Sequence, residues 1–340
     1  MAKSVAILIL AFVCFESLAV ERDSVRQENI ESYSDYFFLG PLLQRNSIDF
    51  SVVSSLDSKK KIDYKSNTSY ALGANLNLFD VNIRFAFAVP LGTKSERLFG
   101  KSDIKGFQIA GITRRWFADA SFIRYNGFYR ESSDVAVPKG QPFPQRSDIE
   151  IQNHGISFGY IFNHERFSLK APYLFSERQK NSRGSFIISG VLSTFTLSAD
   201  SALVPLPQWT SWGPGATVSE IRFTSLGVGP GYSHTFVMKR FFVNLTLTLG
   251  PAHYWLSYTD ADRGHNDIKI DAFSQGRIGV GYNTQKFFAG LSITTQSRNV
   301  TYDNITLQNG AAVFRIVTGY RLPEEGLLKR KATELLPIGL

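Results

Sequence analysis

The stretch Phe242-Val243-Asn244-Leu245-Thr246-Leu247-Thr248-Leu249-Gly250 alternates without a break. Val243, Leu245, Leu247 and Leu249 fall on one side of an extended chain, and Asn244, Thr246, Thr248 and Gly250 on the other. A period of two marks a β-strand with one apolar and one polar face. The same period recurs on either side. From Asn82 to Leu91, Ile83, Phe85, Phe87, Val89 and Leu91 alternate with Asn82, Arg84, Ala86 and Ala88. Further on, Ile268, Ile270, Ala272, Ile278, Val280 and Tyr282 share one face, while Lys269, Asp271, Gln275 and Arg277 share the other.

Carried along the chain, this reading yields about twelve strands, within a range of about ten to fourteen, each about ten residues long as in transmembrane β-strands. They centre near Phe50, Ala74, Phe87, Ile109, Ile123, Phe158, Val191, Leu226, Leu247, Ile278, Leu291 and Ile316. Short connections near Asp80, Phe117, Met238 to Arg240 and Thr284 to Lys286 alternate with longer polar ones. The longer ones fall near Asp57 to Asn67, Gly92 to Asp103, Arg130 to Asp148, Ala199 to Val218, Ser257 to Asp267 and Val300 to Gly310. Such alternation is expected of an up-and-down barrel in an outer membrane, with short periplasmic turns and long extracellular loops. One connection breaks the rule: Asn163 to Arg183 is long where a short turn is due, and is expected to fold against or into the lumen. The fold class is therefore all-β, a single up-and-down transmembrane antiparallel β-barrel. A soluble β-sandwich is the other all-β arrangement, but it gives no reason for short and long connections to alternate.

Composition agrees. The 340 residues are 43% hydrophobic, 14% aromatic and 19% charged, too apolar and too aromatic for a disordered chain. A single cysteine excludes a disulfide scaffold. Beyond the N-terminus no run approaches the roughly 18 apolar residues of a spanning helix. The first residues, MAKSVAILILAFVCFESLAVERD, combine a basic Lys3, an apolar run from Val5 to Phe15, small residues Ser17 and Ala19, and the charged Glu21, Arg22 and Asp23. That is the pattern of a cleaved secretory leader. Cys14 lies inside it, so cleavage after Ala19 leaves a mature chain without cysteine. The expected organisation is a leader over 1–19, a barrel over 20–321 and a short periplasmic extension over 322–340. Net charge is +8, partly in the runs Lys59-Lys60-Lys61 and Lys329-Arg330-Lys331. No nucleic-acid motif accompanies them, and solvated loop and tail is the plainer reading.

Candidate functional residues come from the polar faces. Arg84, Lys269, Asp271, Arg277 and Arg315 are expected to point inward, with Arg124 as a further candidate, and a lumen lined this way favours anions. The competing view is that these arginines pair with carboxylates and lock a closed barrel. Trp116, Trp209, Trp212 and Trp255 fall at expected strand ends or in loops, where the aromatic girdles of a membrane barrel sit. Catalysis has little support. His154 with Ser157, and Ser233 with His234, are the near pairs, but residues one or three apart on a strand face opposite sides. The five histidines do not cluster at metal-ligand spacing, and Asp260-Ala261-Asp262 with Asp267 reads as a solvated loop rather than a calcium site. No cofactor is implied.

Two blocks carry a family resemblance: Tyr160-Ile161-Phe162-Asn163-His164-Glu165-Arg166-Phe167, and Gln179-Lys180-Asn181-Ser182-Arg183-Gly184-Ser185-Phe186. They resemble the turn of the domain of unknown function 4421 family, with Asn163, His164, Arg166, Phe167, Gly184, Ser185 and Phe186 as the matching positions. The strand start Phe287-Phe288-Ala289-Gly290-Leu291 is also similar. The resemblance implies a barrel in a Gram-negative outer membrane and implies no activity.

Three readings of function compete. The first is a structural or interaction barrel, set in outer-membrane lipid, whose 163–183 segment and C-terminal tail meet a periplasmic or membrane protein partner. The second is a narrow pore for small anions or acidic oligosaccharides. The third and weakest is a lipid-modifying enzyme.

Overall fold

The computed structural model describes residues 24–78, 81–131, 136–260 and 263–323. The leader with Cys14, most of the turn at Asp80, Ala261-Asp262, and the extension beyond 323 lie outside these residues. From the N-terminal side come helix α1 (Ser24–Asn29), β1 (Ile30–Ser32), β2 (Tyr36–Ser54), β3 (Lys61–Lys65), β4 (Ala71–Leu78), β5 (Val81–Ala88) and α2 (Thr93–Phe99). Next are β6 (Asp103–Ile112), β7 (Trp116–Arg130), β8 (Gln145–Ile161), α3 (Lys170–Tyr173), β9 (Glu177–Gln179), β10 (Arg183–Ser198) and α4 (Trp209–Trp212). The chain finishes with β11 (Glu220–Met238), β12 (Phe241–Asp260), β13 (Arg263–Asn283), β14 (Phe287–Tyr302) and β15 (Ile305–Pro323). No helix among the described residues is long and apolar enough to cross a membrane.

Ten strands close an antiparallel ring. It runs β2, β3, β7, β8, β10, β11, β12, β13, β14 and β15, and β15 returns to β2 with Ile305 opposite Ser54 and Pro323 opposite Tyr36. This corrects the expectation of about twelve barrel strands. Every expected centre does lie within a strand, but β4, β5 and β6 stand outside the ring. The reason is local. On one edge of β2, Phe50 faces Tyr64 of β3 and Gln44 faces Ala71 of β4, while residues 66–70 leave the ladder between them. The upper piece, β3, reaches β7 through Tyr64–Arg130 and Lys65–Tyr129. The lower piece, β4, turns back into β5 instead, and β6 lies along β7. Among the described residues no ladder joins β5 to β6.

The strands invert their polarity along their length. Near the end with the short turns, call it the lower end, the outer face is apolar: Phe186, Ile188 and Leu192 on β10, Leu226, Val228 and Phe236 on β11, Leu245, Leu247 and Leu249 on β12 are all exposed. Their inward neighbours are Ser185, Ser189, Ser225, Ser233, Thr235, Asn244, Thr246 and Thr248, all buried. Above this belt the pattern reverses. Ile149, Ile151, Phe195, Leu197, Ile221, Phe223, Tyr254 and Leu256 point inward and form one apolar core. Arg124, Glu150, Gln152, Arg222 and Ser257 occupy the outward positions there. An apolar outer belt over a polar interior suits a bilayer, and an apolar interior under a polar surface suits water.

The inversion explains two more corrections. Val300 to Gly310 and Ser257 to Asp267 were expected as long loops because they are polar, but among the described residues they are strand apart from the turn at Asp303-Asn304. β14 and β15 meet in a tight turn at Asp303-Asn304, where Asp303 has φ 44°. β12 and β13 stay paired up to Asp260 opposite Arg263. On β12, β14 and β15 most of these polar residues lie on the outward faces of strands rising above the belt, whereas the top of β13, beyond its pairing with β14, is exposed on both faces.

Candidate functional site: a lumen closed from both ends

The segment between β8 and β10 enters the barrel from below. Its turn is built by the family-like residues. Asn163 receives a backbone bond from Phe167 at 2.9 Å, donates its backbone N–H to Ser185 Oγ at 2.8 Å, and donates its side-chain Nδ2 to the Gly184 carbonyl at 2.8 Å. Phe162 bonds the Phe186 carbonyl. Phe167 is fully buried in a cluster with Ile161, Leu169, Tyr173 and Ile187. Gln179 Nε2 reaches the Arg166 carbonyl at 2.8 Å. β9 then pairs with β1, so the N-terminal segment is bound to the plug.

A buried charge pair holds the two together. Arg26 donates to both oxygens of Glu177, at 2.7 and 2.8 Å, and also to the His164 carbonyl. Ser168 Oγ donates to the same carboxylate at 2.5 Å. Burial acts against the charged form of Glu177, but Arg26, Lys170 and Ser168 hold it below the ordinary glutamate range. His164 is held below its ordinary value by burial, with Arg115 and Arg114 adding to the effect. Neither Arg26 nor Glu177 was singled out in the sequence. The signal was an unexplained arginine in a segment with no strand pattern, which is too weak to read.

The tip of the plug sits between the strands of the belt. Tyr173 donates to Asn244 Oδ1 at 2.7 Å, and Phe175 stacks on Phe288 with ring centroids 4.6 Å apart. A Cβ on Gly290 would lie 2.4 Å from the Phe175 ring, so only glycine admits that ring. Arg321, fully buried, donates to the Phe175 and Thr284 carbonyls and to Asn283 Oδ1, and lies 3.9 Å over the Tyr33 ring. From above, the 199–218 connection closes the other end. Leu203, Val204, Trp212, Ala216 and Val218 join the upper core, Tyr64 donates its hydroxyl to the Leu203 carbonyl, and Trp209 Nε1 bonds the Val204 carbonyl. Trp209 and Trp212 are therefore not girdle residues; Trp212 is 2% exposed, inside the barrel. Trp116, edge-on to Tyr160 at 4.6 Å, and Trp255 do lie on the outer face, at the lower and upper margins of the belt.

Between the two closures lies a polar chamber. Arg84 donates to Asn75 Oδ1 at 3.2 Å and to the Tyr173 carbonyl at 2.8 Å. Arg315 donates to Gln44 Oε1 at 3.1 Å, and Arg277 lies 5.2 Å over the Phe117 ring. Asp119 accepts from Gln108 at 2.9 Å and lies within electrostatic reach of all three arginines. None of the three forms an ion pair among the described residues, so the locking carboxylates considered from sequence are not found at these positions. Lys269 and Asp271 stand elsewhere. β14 pairs with β13 only from Phe273 downward, so both residues sit on the hairpin above the closed wall, with Lys269 bridged to Asp267 at 2.6 Å. Arg124 points outward to Glu150. A further arginine missed from sequence, Arg298, is buried higher in the barrel against Asn153 Oδ1 and Gln296 Oε1.

The catalytic pairs stay apart. Ser157 is buried on the inner face while His154 packs against Phe122 on the outer. Ser233 bonds Thr246 inside at 2.6 Å, and His234 contacts Tyr232 outside. Among the described residues no three His, Cys, Asp or Glu side chains gather as metal ligands would.

Fold and site together define a β-barrel with an apolar outer belt and a lumen plugged by its own chain. The protein belongs to the DUF4421 family, a domain of unknown function whose model matches residues 21–322. No curated protein matches the sequence. Similar solved structures include the translocator domain of the autotransporter NalP from Neisseria meningitidis, at 8% identity and TM-score 0.33, covering 94% of this chain and 96% of that one. Ail of Yersinia pestis, in complex with the heparin analogue sucrose octasulfate, is 10% identical with TM-score 0.23, covering 84% and 99%. OmpT of Vibrio cholerae is 8% identical with TM-score 0.27, covering 82% and 96%.

Proposed function

We propose that the protein is a sealed outer-membrane barrel of a Gram-negative cell, exported behind a cleaved leader, that works through its two end faces and not as a standing pore. The observation that carries this is the double closure: the 163–183 segment fills the lower lumen and the 199–218 segment fills the upper. Its lower face combines α1, β1 and the plug, a composite surface suited to a protein partner in the periplasm. Planar-bilayer recording of the full mature chain tests the reading. Silence from correctly folded barrel is the expected result, and steady conductance overturns it.

A second reading is favoured by one observation, the arginines of the chamber. If both closures move aside on a signal, the lumen becomes a gated anion path. Under that reading, conductance appears on acidification or partner binding, with a reversal potential set by the anion gradient.

A further inference from the structure

Among the described residues the belt has one discontinuity. β5 and β6 are adjacent in chain order and would be expected to pair, yet among the described residues each is bonded only on its other edge. A strand edge within hydrocarbon leaves N–H and C=O groups unsatisfied, and irregular backbone persists at that depth only where it lines a wet cavity. The exposure pattern agrees. Inward-facing positions on the other belt strands are buried or half-buried, but Ala86, Ala88, Gln108 and Ala110, which face inward on β5 and β6, are exposed. The chamber thus opens sideways between these two strands.

The two sides of this opening differ in chemistry. Outside, Phe85, Phe87 and Phe107 stand exposed in the apolar belt, with Phe87 at 76%. Inside are Arg84, Arg277 and Arg315, only half-buried and with Asp119 as the carboxylate nearby among the described residues. Cations withdrawn from bulk water without ion-pair partners are costly, and an incoming anion relieves that cost. We propose that this opening binds an amphiphile with one acyl chain and an anionic head, a carboxylate or a phosphate. The head lies on Arg84 and Arg315, and the chain passes between β5 and β6 to the bilayer. A peptide strand could pair with the free edges, but its backbone brings no charge to the arginines and it offers no acyl chain to the apolar belt outside, so the amphiphile fits both observations. The inference rests on the belt being lipid-facing, and it does not require the barrel to be sealed.

The test uses the full mature chain in phosphatidylcholine nanodiscs, with labelled hexadecanoate as probe and hexadecyl phosphate and hexadecanol as competitors. Saturable binding is expected, with hexadecanol competing at least about tenfold less well than the anionic amphiphiles. Whichever of hexadecanoate and hexadecyl phosphate competes better points to a free fatty acid or a phospholipid product as the source. Arg84→Gln and Arg315→Gln are each expected to weaken binding about tenfold, the size of one charge-assisted contact. Ala86→Trp fills the opening while leaving the arginines in place, and is expected to abolish binding. Heat-modifiable gel migration checks that each variant is folded; if Arg84→Gln is not, Arg315→Gln and Ala86→Trp carry the test. Equal competition by hexadecanol, unchanged binding in folded Arg315→Gln, or unchanged binding in folded Ala86→Trp overturns the proposal. Conductance of the same preparation is read separately. Steady current there would defeat the sealed-barrel reading and leave the binding result standing.

Discussion

Glu177 concentrates the chemistry of the plug in one side chain. Its carboxylate accepts from Arg26 and Ser168, with side-chain exposures of 7% for Glu177 and 14% for Arg26. Removing one partner of a buried pair leaves the other charge uncompensated, a loss of about 3 kcal/mol. Glu177→Gln is therefore expected to release the N-terminal segment while the barrel survives, seen as faster amide exchange in α1 and β1. Acid should act in two steps. His164 prefers to be neutral when docked, so its contribution is complete above its ordinary value of 6.5 and declines as pH falls below it. Glu177 prefers to be charged, so its contribution is present above its ordinary value of 4.5 and is lost as pH falls below that. Undocking of 163–183, read as loss of amide-exchange protection in that segment relative to intrinsic exchange at each pH, should rise first below about pH 6.5 and again below about pH 4.5. If this protection does not depend on pH, these two groups do not hold the plug. At this scale the sequence was readable where period two applied. Arg84, Arg277 and Arg315 fall on inward faces by simple alternation. Trp209 and Trp212 fall in a segment with no period, so nothing local distinguished a plug from a girdle.

At the scale of elements, the plug and its glycine-lined seat are one fitted piece. Phe175 stacks on Phe288 against Gly290, so Phe175→Ala empties a buried ring site and should cost about 3 kcal/mol or more. The expected outcome is a lowered thermal midpoint for the plug with the strand ladders intact, measured by amide exchange. Trp212→Ala is the counterpart at the upper end, with a loss of similar size expected. Unequal lengths among the connections already marked 163–183 as exceptional. What the sequence could not show was its docking, because Tyr173 and Phe175 meet partners on β12 and β14, far away in the chain. The division of one strand into β3 and β4 was also hidden, since residues 66–70 carry no bulge signal as clear as a proline or glycine pair. The reversal of polarity above the belt misled the loop assignments for a definite reason: an outward polar residue on a tall strand and a polar loop residue look the same in one dimension.

For the whole molecule, the two closures predict electrical silence. They also predict that silence depends on the plugs and not on the wall. A chain carrying Phe175→Ala and Glu177→Gln at the lower closure together with Trp212→Ala at the upper one should show brief anion-preferring openings in planar bilayers, whereas the unaltered chain shows none. Openings in the unaltered chain would mean that the closures do not seal the lumen, and none in the triple variant with both closures shown to be undocked would mean that it is blocked elsewhere. Net charge of +8 is compatible with either result and decides nothing.

The inversion of polarity also sets how far the protein stands out of a membrane. β12 has 20 residues and β13 has 21. At about 3.3 Å per residue and a tilt of about 40°, such a hairpin rises roughly 50 Å along the barrel axis. The hydrocarbon belt of a barrel is about 25 Å tall. The closed wall therefore continues above the belt as a column with its own dry interior, and the top of the β12–β13 hairpin, where β14 no longer pairs with β13, projects beyond it. In the proposed outer-membrane placement, with the short turns in the periplasm, anything meeting the cell surface would touch the top of that column before it touched the bilayer.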